Sequence, residues 1–270
     1  RHGPPLPQGD ALRLELGIQV DADGRAILIR CSGGDFENRL DVGRWSPWVS
    51  VRFKHGPLQS ARGLVRFYLA GASPLALFAT PIHFDPDTPL FPLSHPWDYA
   101  GALRRVLGPY ATLGLAEAHA GLANGRFGEE AYLVQCLDVL QERRAMMRHE
   151  LEREDRGLFY CLFDTPDRIQ HMFWRFGEPG HPANLGEPPS ADMAGVIREC
   201  YRTCDEVVGE ALAYAGPDTL VVVLSDHGFA SYQRSVDLNG WLCRNSYLTL
   251  KAGVEPGAGA GDLLREVDWA

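Results

Sequence analysis

The feature that most restricts the fold of this chain is a pair of short, unbroken apolar runs. They are Leu158-Phe159-Tyr160-Cys161-Leu162-Phe163 and Leu220-Val221-Val222-Val223-Leu224. Apolar residues without alternation are what a strand shows when both its faces are covered. Between the runs, Met193, Val196, Ile197, Cys200, Tyr201, Cys204, Val207 and Val208 recur at helical spacing. This stripe predicts a helix from about Ala191 to Ala215, with Ser190 as its cap and Gly216 at its end. Strand, helix and strand in that order make the βαβ pattern of a parallel α/β sheet.

The first 85 residues have a different rhythm. Leu12 to Leu16, Trp48 to Phe53 and Gly63 to Leu69 alternate apolar with polar, and Ala26 to Ile29 follows the turn Asp21-Ala22-Asp23-Gly24. Strands broken by Gly-rich turns predict a small antiparallel β lobe over residues 1–85, packed on an α/β core over residues 86–270. Prolines from Pro81 to Pro96 predict an extended connection. Trp97 to Leu107 has helical spacing. A long helix follows Gly128, with Leu133, Leu137, Leu140 and Met147 near one face and Glu142, Arg143 and Arg144 among its polar positions. The stretch from Gly253 to Gly261 is rich in Gly and Ala and predicts a loop.

The formal charge is -9, which disfavours a nucleic-acid polymer as partner. No apolar run approaches the ~20 residues of a membrane-spanning helix. The six cysteines form no CxxC pair. Cys200 and Cys204 share one helical face, and free thiols in a reducing, cytoplasmic setting are the expectation.

Both apolar runs lead into an acid–imidazole pair. Phe163-Asp164-Thr165-Pro166-Asp167-Arg168-Ile169-Gln170-His171 follows the first run. Thr165 suits a helix N-cap and Pro166 the first helical position, which places Asp167 and His171 on one face. Leu224-Ser225-Asp226-His227-Gly228 closes the second run, with Gly228 expected to permit a tight turn. A carboxylate and an imidazole side by side make a half-site for a divalent ion. Each motif also has a plain reading: Asp167 favouring a helix dipole, and Asp226 satisfying the amides of a turn. Two half-sites at the C-terminal edge of one parallel sheet would suit two ions ~4 Å apart. Asp164 is a candidate to support an imidazole or to favour the helix N-terminus. Arg168, Gln170 and Arg175 are expected on a solvated face, and Phe173 and Trp174 in packing. His55, His83, His95 and His181 have no partnered spacing.

These motifs resemble those of the alkaline phosphatase superfamily, in its type I phosphodiesterase / nucleotide pyrophosphatase branch. The stretch from Asp164 to Arg175 carries the resemblance, together with Asp226-His227-Gly228, Trp45-Ser46-Pro47-Trp48-Val49, Pro81 to Pro96 and Gly108-Pro109-Tyr110-Ala111-Thr112-Leu113-Gly114. The resemblance implies an α/β sandwich around a mostly parallel sheet and two divalent ions, usually zinc. It implies Asp167 and His171 as ligands of one ion and Asp226 and His227 as ligands of the other. It also implies a Thr or Ser nucleophile, a further Asp before this segment and a further His after it. This segment is therefore expected to be the middle of a longer enzyme, incomplete at both ends, weak in metal binding and inactive alone. The implied activity is hydrolysis of a small phosphorylated substrate. A phosphomutase or sulfatase of the same superfamily, or a non-catalytic scaffold whose β lobe binds a partner, are the alternatives.

Overall fold

The computed structural model describes residues 14–31, 36–55, 59–153, 157–184, 191–234, 236–254 and 267–268. Among them, eight strands come first and six α-helices follow. Strands β1 (Leu16–Val20), β2 (Ala26–Cys31) and β3 (Glu37–Asp41) form one antiparallel sheet. Strands β4 (Val49–His55), β5 (Gln59–Val65) and β8 (His83–Phe84) form a second. Strands β6 (Phe67–Ala72) and β7 (Leu75–Ala79) form a third.

The alternation from Gly63 to Leu69 predicts one strand, and the structure makes two. Arg66 is the break: its backbone N–H leaves the ladder and donates to Thr80 Oγ1 at 3.0 Å. β5 can then serve one sheet while β6 serves another. Ile27, Ile29, Val49, Val51, Phe67 and Leu69 converge on a common core, as expected where alternate side chains share a face.

The helices are α1 (Tyr99–Leu107), α2 (His119–Ala123), α3 (Glu129–Leu151), α4 (Thr165–Phe173), α5 (Ala191–Tyr214) and α6 (Leu238–Arg244). A second core joins Tyr132 and Cys136 of α3, Ile169 and Phe173 of α4, and Val196 and Cys200 of α5. The buried face of α3 runs through Tyr132, Cys136, Val139, Leu140 and Met147, whereas Leu137 is exposed. All six cysteines are free, and Cys200 is buried as its stripe predicts. No described helix is long and apolar enough to cross a membrane. Ser190, Leu12 and the stretch 255–261 lie outside the described residues.

The parallel sheet is where expectation and structure part. Neither Leu158–Phe163 nor Leu220–Leu224 belongs to a strand among the described residues, and every sheet pairing described is antiparallel. Leu158 is 95% exposed and Leu220 is 87% exposed. Apolar sequence encodes a tendency toward burial, but a strand exists only where a neighbouring backbone accepts its hydrogen bonds. The mixed α/β class stands, with small antiparallel sheets and a helical layer.

The two halves are held together by a compact polar clamp. The Arg66 guanidinium lies 5.6 Å from the Trp45 ring centroid and 5.9 Å from that of Trp48. Its Nε donates to Ser46 O at 2.9 Å, and its Nη1 pairs with Asp138 of α3 at 2.8 Å. Trp45 Nε1 donates to Ala131 O at 2.8 Å, and Trp48 Nε1 donates to Glu142 Oε1 at 2.7 Å. Glu142 Oε2 accepts from Ala111 N at 2.9 Å. Ala131, Asp138 and Glu142 fall at helical spacing, so one face of α3 receives all three anchors.

His83, unassigned by sequence, is fully buried edge-on to Trp48. Its Nδ1 accepts from Thr112 N at 3.0 Å and Leu113 N at 3.3 Å. An acceptor Nδ1 requires the neutral ring with its proton on Nε2, and burial lowers its pKa from 6.5 to about 4.

Three outcomes are expected. Arg66→Met should cost on the order of 2–3 kcal/mol in urea unfolding, because the buried Ser46 carbonyl and both rings lose a partner. Asp138→Asn should cost about 1 kcal/mol or less, because Asp138 is half-exposed and regains water. His83 is neutral in the folded chain and takes up a proton near pH 6.5 when unfolded. Its contribution is therefore complete above pH ~6.5 and is lost as pH falls from there toward ~4. Between pH 7.5 and pH 5 the wild type should lose ~2 kcal/mol more than His83→Asn, whose amide oxygen can replace Nδ1 as acceptor.

Candidate metal centre

Helix α4 starts at Thr165, with Pro166 in its first turn and Asp164 at the N-cap position. Thr165, expected as the cap, is instead buried within the first turn. Thr165, Ile169, Gln170 and Phe173 are the buried positions of this helix. That choice of buried face turns Asp167 and His171 outward together, as their spacing predicts. Gln170, expected on a solvated face, is buried: its Nε2 donates to Pro166 O and its Oε1 accepts from Tyr201 OH. Arg175 likewise has partners, Glu129 and the Ala183 carbonyl.

The second motif arrives on an irregular loop. Ser225 Oγ donates to His227 O at 2.6 Å. Gly228 does not adopt the left-handed conformation, and a Cβ there would meet nothing within 4 Å. A glycine is therefore not required by this turn. What seats the loop is Phe229. Its ring packs edge-on to His171 at 4.9 Å and His227 at 5.4 Å, and it stacks near Trp174 at 6.1 Å. Farther along, Ser231 Oγ donates to Glu178 Oε2 at 2.7 Å, and His181 Nε2 donates to Tyr232 O at 3.1 Å. His181 Nδ1 accepts from Ala183 N, so its tautomer suits both bonds. The loop is thus fastened to the segment that follows α4.

This fastening brings the motifs together although 55 and more residues of sequence separate them. Asp167 Oδ1 lies 3.3 Å from His171 Nε2 and 3.6 Å from His227 Nε2. Asp226 Oδ2 is 3.9 Å from His227 Nε2, and its side chain is 90% exposed, the loosest of the four. The other oxygen of Asp167 is taken: Arg168 Nη1 donates to Oδ2 at 2.8 Å. Arg168 also faces Asp164 and Glu117, each at 3.8 Å. Glu117 is buried, which pushes its pKa up, with Asp164 adding to the rise and Arg168 opposing it.

The donors suit a divalent cation in kind. His227 Nδ1 faces Gly228 O at 3.1 Å; a carbonyl can only accept, so Nδ1 carries a proton. In the neutral ring Nε2 is then a lone pair aimed at a carboxylate oxygen. Two acceptors in that arrangement need a proton or a metal ion between them. Ligand atoms ~2.0–2.1 Å from a tetrahedral ion sit ~3.3 Å apart, close to the spacing of Asp167 Oδ1 from His171 Nε2. Three carboxyl groups, of Glu117, Asp164 and Asp167, face the Arg168 guanidinium, and a fourth, of Asp226, lies beside His227, so acidic groups outnumber this cation and the local field favours another. The donors stand as adjacent pairs rather than a closed shell: among the described residues no group of three or more His, Cys, Asp or Glu side chains is set to hold an ion.

Sequence reasoning missed Phe229, His181 and Glu117. Phe229 and His181 carry no local pattern that would single them out. Glu117 has a faint one: it stands alone among small apolar residues in Leu115-Ala116-Glu117-Ala118.

Comparison with curated proteins and with solved structures returned no match. Comparison with protein families matches the type I phosphodiesterase / nucleotide pyrophosphatase family over residues 119–265. That span covers more than half of the 270 residues, runs from α2 to beyond α6, and contains Asp167, His171, Asp226 and His227. The chain with this acid–imidazole cluster therefore belongs to the type I phosphodiesterase / nucleotide pyrophosphatase family, a family of hydrolases.

Proposed function

We propose that this chain supplies part of the metal centre of a phosphoric-ester hydrolase acting on small phosphorylated substrates, phosphodiesters first among them. The observation that carries the reading is the approach of His171 and His227 to the same oxygen of Asp167. Family membership supplies the reaction class. Asp167, His171, Asp226 and His227 are the side chains that would hold divalent ions, zinc being the natural candidate for mixed imidazole and carboxylate donors. When bound, such ions neutralise charge that develops on phosphoryl oxygens and activate an oxygen nucleophile.

The chain's own residues have separable tasks. Arg168 occupies Asp167 Oδ2 and leaves Oδ1 turned to the imidazoles. The Gly228 carbonyl orders the His227 tautomer so that Nε2 is the free donor atom. Such an outer bond fixes ring orientation and strengthens the ligand. Phe229 and Trp174 place an apolar wall beside both imidazoles, which limits water on that side. No residue of this segment is assigned the role of nucleophile.

The test is hydrolysis of bis(p-nitrophenyl) phosphate by the purified full-length protein. Chelation followed by dialysis should abolish turnover, and Zn²⁺ or Mn²⁺ should restore it. Asp167→Ala and His227→Ala should each lower kcat/KM by roughly 100-fold or more, equivalent to at least ~3 kcal/mol of transition-state stabilisation. Asp226→Ala should act in the same direction. Full turnover in the chelated protein, or in Asp167→Ala, would remove the reading.

A further inference from the structure

Glu117 is a buried carboxyl group whose position needs a reason. Its side chain is fully inaccessible, and both its oxygens lack a hydrogen-bond partner among the described residues. An isolated buried carboxylate is costly and needs a compensating charge. The nearest cation is Arg168, with Nε 3.8 Å from Glu117 Oε2. Arg143 contributes only a further, weaker attraction, and Asp164 repels. Arg168 Nε is itself buried and without another partner, while Nη1 bonds Asp167 Oδ2 and Nη2 faces Asp164. The guanidinium is thus gripped at its stem by a carboxylate from outside α4, and its far end holds Asp167.

We propose that Glu117 and Arg168 are positioning residues that fix the carboxylate of Asp167, so that Oδ1 alone is presented to His171, His227 and a divalent ion. The inference rests on the ligand role proposed above for Asp167. Glu117 lies just outside the span matched by the family, at 119–265, and in a loop before α2 rather than on the site's own helix. Without Glu117, Arg168 retains only α4 neighbours at their i−1 and i−4 positions and can turn with them. Without Arg168, Asp167 is free to rotate, and either oxygen can face the imidazoles.

The experiment is Co²⁺ titration of the chelated full-length protein, followed by visible absorption, alongside thermal unfolding without metal. Asp167→Ala sets the reference for loss of a ligand. Glu117→Gln and Arg168→Gln should each weaken Co²⁺ binding by about 10- to 100-fold. Arg168→Lys should fall between them and the wild type, because an ammonium keeps the charge but not the fork. The metal-free unfolding midpoint of Arg168→Gln should fall, because buried Glu117 loses its nearest cation; Arg168→Lys keeps the charge, should unfold nearer wild type, and keeps the test open if either Gln variant folds poorly. Wild-type affinity in Glu117→Gln and Arg168→Gln, with binding lost in Asp167→Ala, would overturn the positioning role and leave the ligand reading intact. Wild-type affinity in Asp167→Ala would overturn both.

Discussion

Arg66 between Trp45 and Trp48 is the contact on which the rest of the arrangement depends. A guanidinium there satisfies the Ser46 carbonyl, faces two aromatic rings and reaches Asp138 on α3. The tryptophans then use their indole N–H groups on the same helix, at Ala131 and Glu142. Both rings thus bury apolar surface while their polar edge stays bonded. The same Arg66 marks the change of sheet between β5 and β6. One residue therefore divides the β lobe and ties it to the helices. Trp45, Tyr68, Phe78 and Phe127 extend the joint as an aromatic cluster.

The candidate site inherits its position from α3. Helix α4 packs on α3 and α5 through Ile169 and Phe173, beside Tyr132, Cys136, Val196 and Cys200. That packing leaves the Asp167–His171 face outward and the N-terminal turn of α4 beside Glu117. Glu117 is held near by the same helix, since Ala118 N donates to Gln135 Oε1 of α3 at 3.0 Å. The second motif then docks from the other side through Phe229, Ser231 and the Tyr232 carbonyl. The four donor residues come from helix α4 and one irregular loop, but their supports come from other stretches of chain.

This layering explains which parts were legible in sequence. Asp167 and His171 could be paired because a helix makes residues four apart neighbours, and Pro166 fixed where that helix starts. Asp226 and His227 are adjacent in sequence, so their proximity needs no fold. Strand β2 was readable as an apolar run after a turn, β4 to β6 from alternation, and α5 from its apolar stripe; β1 begins at Leu16, where the Leu12–Leu16 alternation ends, and β3, β7 and β8 were not read. The split of Gly63–Leu69 was not, because it depends on a hydrogen bond from Arg66 to Thr80, which no local pattern encodes. The assignments of Gln170 to a solvated face and of Thr165 to the cap failed for a related reason: both lie on the side of α4 that meets α3 and α5.

The sequence by itself determined the two acid–imidazole pairs, the β-rich first stretch, helices α1, α3, α4 and α5 though not α2 or α6, and the kinship that the family match bears out. Each of these is local information: periodicity, caps, or residues within one turn of each other. Only the tertiary structure decided that Asp167 lies between the two imidazoles, that Phe229 lies against both, and that a buried Glu117 faces the arginine that holds Asp167. It also left the apolar runs Leu158–Phe163 and Leu220–Leu224 outside any sheet among the described residues. The physical reason is common to all four. Apolar character and charge belong to a residue, but a ladder, a packed ring or a compensated carboxylate belongs to a pair, and the second member of each pair lies far along the chain.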